Sequence, residues 1–214
     1  MSVQDRKTRE KQQRQNAMID AAEEIFFTKG FAAATMDEVA QKAEYSKGTL
    51  YLYFKNKESL YHAIILRGFE LLHKMFEEAV ASKERGIDKI RAMGEAYMEF
   101  HQKHPKYFEA LLYYETNVTE LDEEDPLVQQ CKAKGPETLS VAAQAVMAGI
   151  EDGSIEPTLD PFKTSLFLWS SVTGIVQLAA LKKEALKDIL NVEVADVVAY
   201  TFDMIEKSLQ SHSS

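Results

Sequence analysis

The sequence predicts an all-α protein of about nine helices, in which a small N-terminal domain precedes a larger helical one. Apolar residues recur at helical spacing through most of the chain, and no segment shows the alternation of a half-buried strand. The 214 residues include only 9 glycines and 5 prolines, too few for the many turns of an all-β protein. Hydrophobic residues make up 45% and charged residues 28%, which indicates a globular chain with a sizeable core.

Four helices are predicted in the N-terminal part of the chain. The first carries an apolar stripe that ends before Gly30, formed by Met18, Ala21, Ala22, Ile25 and Phe26. A capping box at residues 35–38, Thr-Met-Asp-Glu, opens a short second helix. Ser46 caps a third helix from Lys47 to about Phe54, and a longer fourth helix follows from Lys57 to roughly Ser82.

Prolines mark the later helices. Pro126 and Pro161 each follow an aspartate that can cap a helix, and Pro105 follows His104 at the end of one helix and starts the next. Gly135-Pro136 predicts a break. The acidic stretch between residues 115 and 125 is expected to be a loop. The last two helices, Phe162 to Leu181 and a stripe that begins at Val194, are the most apolar.

The second and third helices lie close together across a tight turn, which is the spacing of a helix-turn-helix. Short helical hairpins share this spacing, so DNA binding and simple packing both remain open on geometry. Leu50 and Phe54, four residues apart, are expected to hold the third helix to the core. The face that remains would place its side chains where a recognition helix meets the major groove, namely Lys47, Gly48, Thr49, Tyr51 and Tyr53.

The charge is unevenly distributed along the chain. The net charge of −9 argues against nucleic acid as a partner, but residues 1–60 hold ten basic and nine acidic side chains. The rest of the chain holds fifteen basic and twenty-five acidic ones. The near-neutral part begins with a basic arm. This arm either contacts DNA, at phosphates or in the minor groove, or is a solvated tail. Its basic residues are Arg6, Lys7, Arg9, Lys11 and Arg14.

Residues 48–60, Gly-Thr-Leu-Tyr-Leu-Tyr-Phe-Lys-Asn-Lys-Glu-Ser-Leu, resemble the recognition helix of the TetR family of repressors and the lysine and leucine that follow it. The resemblance extends to residues 21–31 and 35–40 and covers about residues 14 to 62. It implies a DNA-binding domain over residues 1–56. It also implies a ligand-binding and dimerisation domain over residues 57–214, which dimerises through its last two long helices.

The resemblance also implies roles for single residues. Thr35 and Lys57 would touch phosphates, and Tyr51 would pack against the DNA backbone or brace its own helix. Bases would be met by Lys47, Gly48 and Tyr53, the last at a position where many relatives have histidine. Ser46 and Thr49 complete the predicted DNA-binding set.

The C-terminal helices suggest a dimer interface and a ligand cavity. A helix that is apolar on nearly every face needs two burial partners, so it either packs on a second copy of the chain or is the central helix of a monomer. The predicted interface is Phe162, Leu166, Val176, Val194, Val198, Phe202 and Ile205. Aromatic and methionine side chains are candidate ligand contacts, with plain core packing as the alternative: Met93, Tyr97, Phe100, Phe108, Leu111, Tyr114, Met147 and Trp169.

We therefore expect a sequence-specific transcriptional regulator, a repressor that leaves a palindromic operator when a small, largely apolar ligand binds. Catalysis is not expected, because Cys131 has no base nearby in sequence and no glycine-rich phosphate loop is present; no cofactor or metal is expected either. A helical protein adaptor is the competing class. The single cysteine and the absence of an apolar signal core predict a cytoplasmic protein, and the apolar stretch 167–181 is too short to span a membrane.

Overall fold

A computed structural model of the chain describes residues 3–117 and 122–211, with the side chains of residue 3, residues 179–186 and residues 189–190 left aside. The described residues form nine α-helices and one isolated antiparallel bridge between Ile155 and Gln210. The all-α prediction is therefore confirmed. The helices are α1 (Val3–Lys29), α2 (Met36–Lys42), α3 (Lys47–Tyr51), α4 (Lys57–Ala81), α5 (Gly86–Lys103), α6 (Pro105–Thr116), α7 (Pro126–Glu151), α8 (Pro161–Leu190) and α9 (Val194–Leu209).

The chain divides into two compact units. The first contains residues 3–68 with 106–117 and 122–132, and the second contains residues 69–105 with 133–211. The predicted boundary between residues 56 and 57 divides the chain differently. In the structure α4 contributes to both units, and nearly all of α6 belongs with the helix-turn-helix.

The first unit has its core between α1, α2, α3 and α4, around side chains that are fully buried, namely Met18, Val39, Leu50, Phe54, Leu60 and Ile64. α1 ends at Lys29, and Gly30 follows it in the left-handed conformation with a φ of 82°, while its amide donates to the Phe26 carbonyl. Tyr113 of α6 packs on this unit through its ring, which meets Tyr61 edge to face and Phe31 at a tilt. Phe31 and Tyr61 also contact each other.

α1 is longer than the apolar stripe predicts, because the basic arm is part of the helix. Residues 4–14 are almost all exposed, so no core packing explains their helical state. Lysine, arginine and glutamine are good helix formers, and the segment contains neither glycine nor proline. Arg6 also pairs with Glu10 one turn later, at 3.1 Å.

In the second unit α5 and α7 make a close backbone contact at two glycines. A Cβ on Gly86 would stand 2.1 Å from the Gly149 nitrogen, so a residue with a side chain cannot be placed there without movement. The same end of α5 is capped by side chains that follow α7. The Gly86 amide donates to Asp152 at 2.7 Å, and the Ile87 amide donates to Ser154 at 3.2 Å.

α7 continues through Pro136, so the predicted break at Gly135-Pro136 is wrong. Proline lacks the amide that would complete the helical ladder, and it disfavours the α conformation of a preceding residue that has a Cβ. Gly135 has no Cβ and therefore relieves much of that clash. The next turn gains a bond, since the Thr138 hydroxyl donates to the Lys134 carbonyl at 2.9 Å.

Two further boundaries differ from the sequence-based expectation. α8 runs to Leu190 rather than Leu181, and no helix among the described residues has the length and apolar character to cross a bilayer. The predicted acidic loop lies partly outside the described residues, at 118–121. The remainder comprises the last residues of α6 with Asn117 and a turn over residues 122–125.

Candidate nucleic-acid interface

The turn between α2 and α3 is closed by backbone hydrogen bonds. Glu44 has a φ of 59°, and the amide of Tyr45 donates to the Ala40 carbonyl at 3.0 Å. A left-handed residue followed by an amide that donates back to the last turn of the helix is a Schellman motif. The chain therefore reverses within a few residues and starts α3 close to α2.

α2 begins with the predicted capping box, which the structure confirms. The Thr35 hydroxyl accepts from the Glu38 amide at 3.3 Å, while the Thr35 amide and hydroxyl both lie 3.0 Å from the Glu38 carboxylate. Hydrogen bonds from Lys29 and Thr35 hold the pKa of Glu38 below its ordinary value. Both donors of Thr35 therefore point at Glu38, and the predicted phosphate contact by Thr35 would have to break one of these bonds.

α3 is held at its start by Ser46 and on its inner face by two apolar residues. The Ser46 hydroxyl accepts from the Thr49 amide at 3.0 Å, and it lies 2.8 Å from the Thr49 hydroxyl. Leu50 and Phe54 are fully buried, as their spacing predicts. The cap sets where α3 starts and the two apolar residues set which face is turned outwards.

The outward face carries most of the predicted base-reading residues. Lys47, Gly48 and Tyr51 are exposed, and Tyr53 is half-buried. The Lys47 ammonium lies 2.6 Å from the Asp37 carboxylate, which raises the pKa of Lys47 and keeps it charged. Both groups are exposed, so little energy is needed to exchange this carboxylate for a base edge or a phosphate.

Lys57 has a different environment from the one that the resemblance implies. Its ammonium donates to the carbonyls of Phe31 at 2.9 Å, Ala34 at 3.2 Å and Ala32 at 3.4 Å. It also lies 4.5 Å from the centre of the Phe31 ring. An ammonium has three donors, and here all three are directed at the loop between α1 and α2. Lys57 thus joins that loop to the start of α4.

Leu52 is an exposed residue beside α3 that the predicted DNA-binding set did not include. It follows α3 directly, and 84% of its surface is exposed. The signal was available in the sequence, because Leu52 is two positions from the buried Leu50 and so falls on the opposite side of the helix.

α6 is attached to the helix-turn-helix by polar contacts. The Tyr107 hydroxyl donates to Glu23 of α1 at 2.6 Å, and Arg67 of α4 donates to the same carboxylate at 3.0 Å. Arg67 also donates to Asp20 at 2.6 Å. Beyond α6, Asp122 pairs at 2.9 Å with Lys55, which follows α3. None of these contacts was predicted, because each joins residues more than forty positions apart.

The predicted ligand contacts fall into two groups. Six are buried, namely Met93, Tyr97 and Phe100 on α5, and Phe108, Leu111 and Tyr114 on α6. Tyr97 makes a specific contact within the second unit, where its hydroxyl lies 2.8 Å from that of Thr173. Met147 and Trp169 instead face outwards, with 45% and 41% of their surfaces exposed in the single chain.

A cleft of about 420 Å³ lies in the second unit between α4 and α7, and none of the predicted ligand contacts lines it. The His73 Nε2 atom lies 3.4 Å from Glu77 and 3.6 Å from Glu137. Lys134 holds the pKa of Glu137 below its ordinary value, so that carboxylate is charged. The lining is His73, Glu77, Val80, Glu137, Ser140, Val141 and Gln144.

The predicted dimer contacts divide between the surface and the interior. Phe162 and Leu166 are exposed on α8, whereas Val176 and Ile205 are buried inside their own chain and cannot meet a partner without rearrangement. Val194, Val198 and Phe202 are half-buried. Further apolar side chains exposed on these two helices, which the prediction did not include, are Phe167, Trp169, Leu178, Tyr200 and Met204.

The chain is similar in sequence to known bacterial transcriptional regulators. The chain is 32% identical over 108 residues to the transcriptional activator FasR of Mycolicibacterium smegmatis, a match that spans 50% of this chain and 49% of FasR. It is 28% identical over 167 residues to the transcriptional regulator UidR of Escherichia coli, across 78% of this chain and 82% of UidR.

Two solved structures share the fold. One is the regulator FadR of Bacillus subtilis in complex with stearoyl-CoA, with a TM-score of 0.66 and 18% identity over 90% of this chain and 97% of FadR. The other is AibR in complex with isovaleryl coenzyme A and operator DNA, with a TM-score of 0.64 and 18% identity over 89% of this chain and 97% of AibR.

Family models match both parts of the chain. Residues 18–64, which include the capped α2 and α3, match the model of bacterial regulatory proteins of the tetR family. Residues 90–197 match the model of the tetracyclin repressor-like C-terminal domain. A DNA-binding helix-turn-helix is thus followed by the helical domain that accompanies it in these regulators, and the chain belongs to the TetR family of transcriptional regulators.

Proposed function

We propose that this regulator binds a palindromic operator as a homodimer in the cytoplasm and that a small, largely apolar effector weakens this binding, so that the protein acts as a repressor. The observation that carries the proposal is α3, which is capped by Ser46, locked by Leu50 and Phe54, and exposed along its remaining face. A short helix presented in this way has the form of a recognition helix for the major groove.

DNA binding is tested with purified full-length protein and a pool of random duplexes, followed by affinity measurements at several salt concentrations. We expect selective binding whose affinity falls steeply with salt, since neutralised phosphates release counterions. Selected sequences that are palindromic would support the dimer. If no duplex is preferred at any salt, the N-terminal unit is a protein-binding adaptor instead.

Lys47→Ala should lower operator affinity by about 1 to 3 kcal/mol and relax the preference at one base position in each half-site. Affinity for unrelated duplex should change little if, as we propose, Lys47 reads a base edge. A suitable control is Lys74→Ala, which removes the same charge from an exposed α4 side chain paired with Glu78. Equal losses on operator and unrelated duplex would remove Lys47 from the base-reading set.

The dimer is proposed to form through the exposed apolar faces of α8 and α9. A face that carries Phe162, Phe167 and Tyr200 with more than 45% of each surface exposed is unusually apolar for a protein surface. Packing two copies of it across a twofold axis would remove these side chains from water. Val176 and Ile205 would then stabilise each protomer from inside rather than join the two.

The double variant Leu166→Glu, Trp169→Glu should be a monomer. Each new carboxylate would be buried in the interface without a partner, which costs about 3 kcal/mol or more. Association should therefore weaken at least a hundredfold. Sedimentation or light scattering measures the mass. Both side chains are exposed in the single chain, so helix content should stay unchanged. Leu52→Glu provides the control, since it adds a charge at an exposed leucine outside α8 and α9. A double variant that remains dimeric would locate the interface elsewhere.

The effector class is proposed from the buried aromatic and methionine side chains of α5, namely Met93, Tyr97 and Phe100, which give the second unit an apolar interior with a polar tip at the Tyr97 hydroxyl. FadR and AibR were solved with acyl-CoA molecules, so stearoyl-CoA and isovaleryl-CoA are the first probes, with coenzyme A alone as the control. Calorimetric titration measures the binding, because the single tryptophan, Trp169, lies in the proposed dimer interface and its fluorescence would also respond to dimerisation.

An effector that binds should lower operator affinity about 5- to 150-fold, the range of a typical coupling free energy. If the protein saturated with an effector holds the operator as tightly as the free protein, the ligand-release proposal fails. Tighter operator binding with the effector would indicate the opposite sign of regulation. A reporter gene behind the selected operator then separates repression from activation.

A further inference from the structure

We propose that Leu52 reads the 5-methyl group of a thymine in each operator half-site and is a specificity-determining residue of this regulator. The inference rests on the proposed function, because it requires α3 to enter the major groove. It assigns the central apolar contact of the recognition surface to a residue for which the family resemblance implies no role.

Leu52 lies on the side of α3 opposite its buried residues. Leu52 caps α3 with φ −73° and ψ −20°, so helical geometry continues through it. At 100° per residue, Leu52 points about 200° away from Leu50, which is fully buried. Phe54, also fully buried, lies on the same side as Leu50. Leu52 therefore occupies the middle of the outward face, with Tyr51 and Tyr53 about 100° to either side of it, while Lys47 stands at the start of the helix.

The helix surface beside Leu52 is open, because a glycine lies there. Gly48 lies four residues earlier and so on the same face of the helix. Helical side chains lean towards the N-terminus, which directs Leu52 over the turn that contains Gly48. A Cβ on Gly48 would meet nothing nearer than the Ser46 hydroxyl at 3.8 Å, so this spot is open to solvent. The surface thus offers an exposed leucine next to bare backbone, where a flat base edge can approach closely.

The chemistry of the major groove identifies the partner. A leucine side chain has no hydrogen-bonding group, so it cannot distinguish base edges by their donors and acceptors. Among the four bases only thymine presents an apolar group there, its 5-methyl. A single exposed leucine on a protein surface is ordinary, but one at the centre of a recognition face, 84% exposed, is matched to this group.

The test uses full-length protein and the selected operator, in which each thymine is replaced in turn by deoxyuracil. This replacement removes the methyl and keeps the base pair. For the wild type we expect about a fourfold loss of affinity at one position in each half-site, the value of one buried methyl-sized group. In Leu52→Ala the operator should bind at least fourfold more weakly, and the uracil penalty at that position should disappear.

Two further variants keep the result interpretable. Lys55→Ala, beside α3, should affect thymine and uracil duplexes equally, because an exposed lysine acts on phosphates. Gly48→Ala places a methyl into the open spot, so thermal unfolding should be unchanged or shifted slightly upwards while operator binding still weakens. Leu52→Ala should also unfold like the wild type, given its exposure.

The outcomes separate this inference from the proposed function. A wild type with operator selectivity but no uracil penalty, or a Leu52→Ala variant that retains every penalty, would overturn the role of Leu52 and leave DNA binding intact. A wild type without any duplex preference would overturn both.

Discussion

Gly86→Ala is expected to lower the free energy of unfolding by about 3 kcal/mol or more, the largest effect that we expect from an alanine at any of the glycines. The new Cβ would stand 2.1 Å and 2.2 Å from backbone atoms of Gly149 and 2.7 Å from the Ala145 carbonyl. Backbone atoms cannot turn aside as a flexible side chain can. α5 and α7 must therefore separate, which also strains the bonds from Gly86 to Asp152 and from Ile87 to Ser154.

Urea unfolding followed by circular dichroism measures this loss, with protein concentration held constant because dimerisation contributes to stability. The matched control is Gly48→Ala, an alanine in an exposed helical position with open space around it, which should be neutral or stabilising by up to about 1 kcal/mol. If Gly86→Ala unfolds at the same urea concentration as the wild type, the close approach of α5 and α7 is not a feature of the protein in solution.

Lys57→Met is expected to lower the free energy of unfolding by about 2 kcal/mol, because it removes the charge-assisted bonds to the Phe31, Ala32 and Ala34 carbonyls. Methionine retains the apolar stem, so the loss reports on the ammonium. Operator binding should weaken through the loosened loop between α1 and α2, which precedes the capping box of α2.

The comparison with Lys55→Met distinguishes this role from phosphate binding. Lys55 is largely exposed and pairs with Asp122, which is itself exposed, so its replacement should change stability by less than about 1 kcal/mol. A phosphate ligand lost from position 57 would leave unfolding unchanged and reduce the salt dependence of DNA binding by about one ion per subunit. That result would restore the role that the family resemblance implies for Lys57.

Much of the DNA-binding unit could be predicted from local sequence. The Thr35–Glu38 capping box, the Ser46 cap and the buried pair Leu50 and Phe54 all depend on residues within one turn of each other. Such contacts form wherever the helix forms, so the sequence contains them directly. The same local rules failed at Pro136, where packing of a long α7 and a preceding glycine outweigh the missing amide.

The sequence by itself determined the all-α class, the order of the helices and the recognition helix with its family. Tertiary structure alone decided that Lys57 bonds to a loop more than twenty residues away, that Gly86 meets Gly149, and that Val176 and Ile205 face inwards while Phe162 faces outwards. The physical reason is that periodicity identifies an apolar helix without showing which neighbour covers each side. Contacts between distant residues are set by how the helices pack, and packing depends on the whole chain.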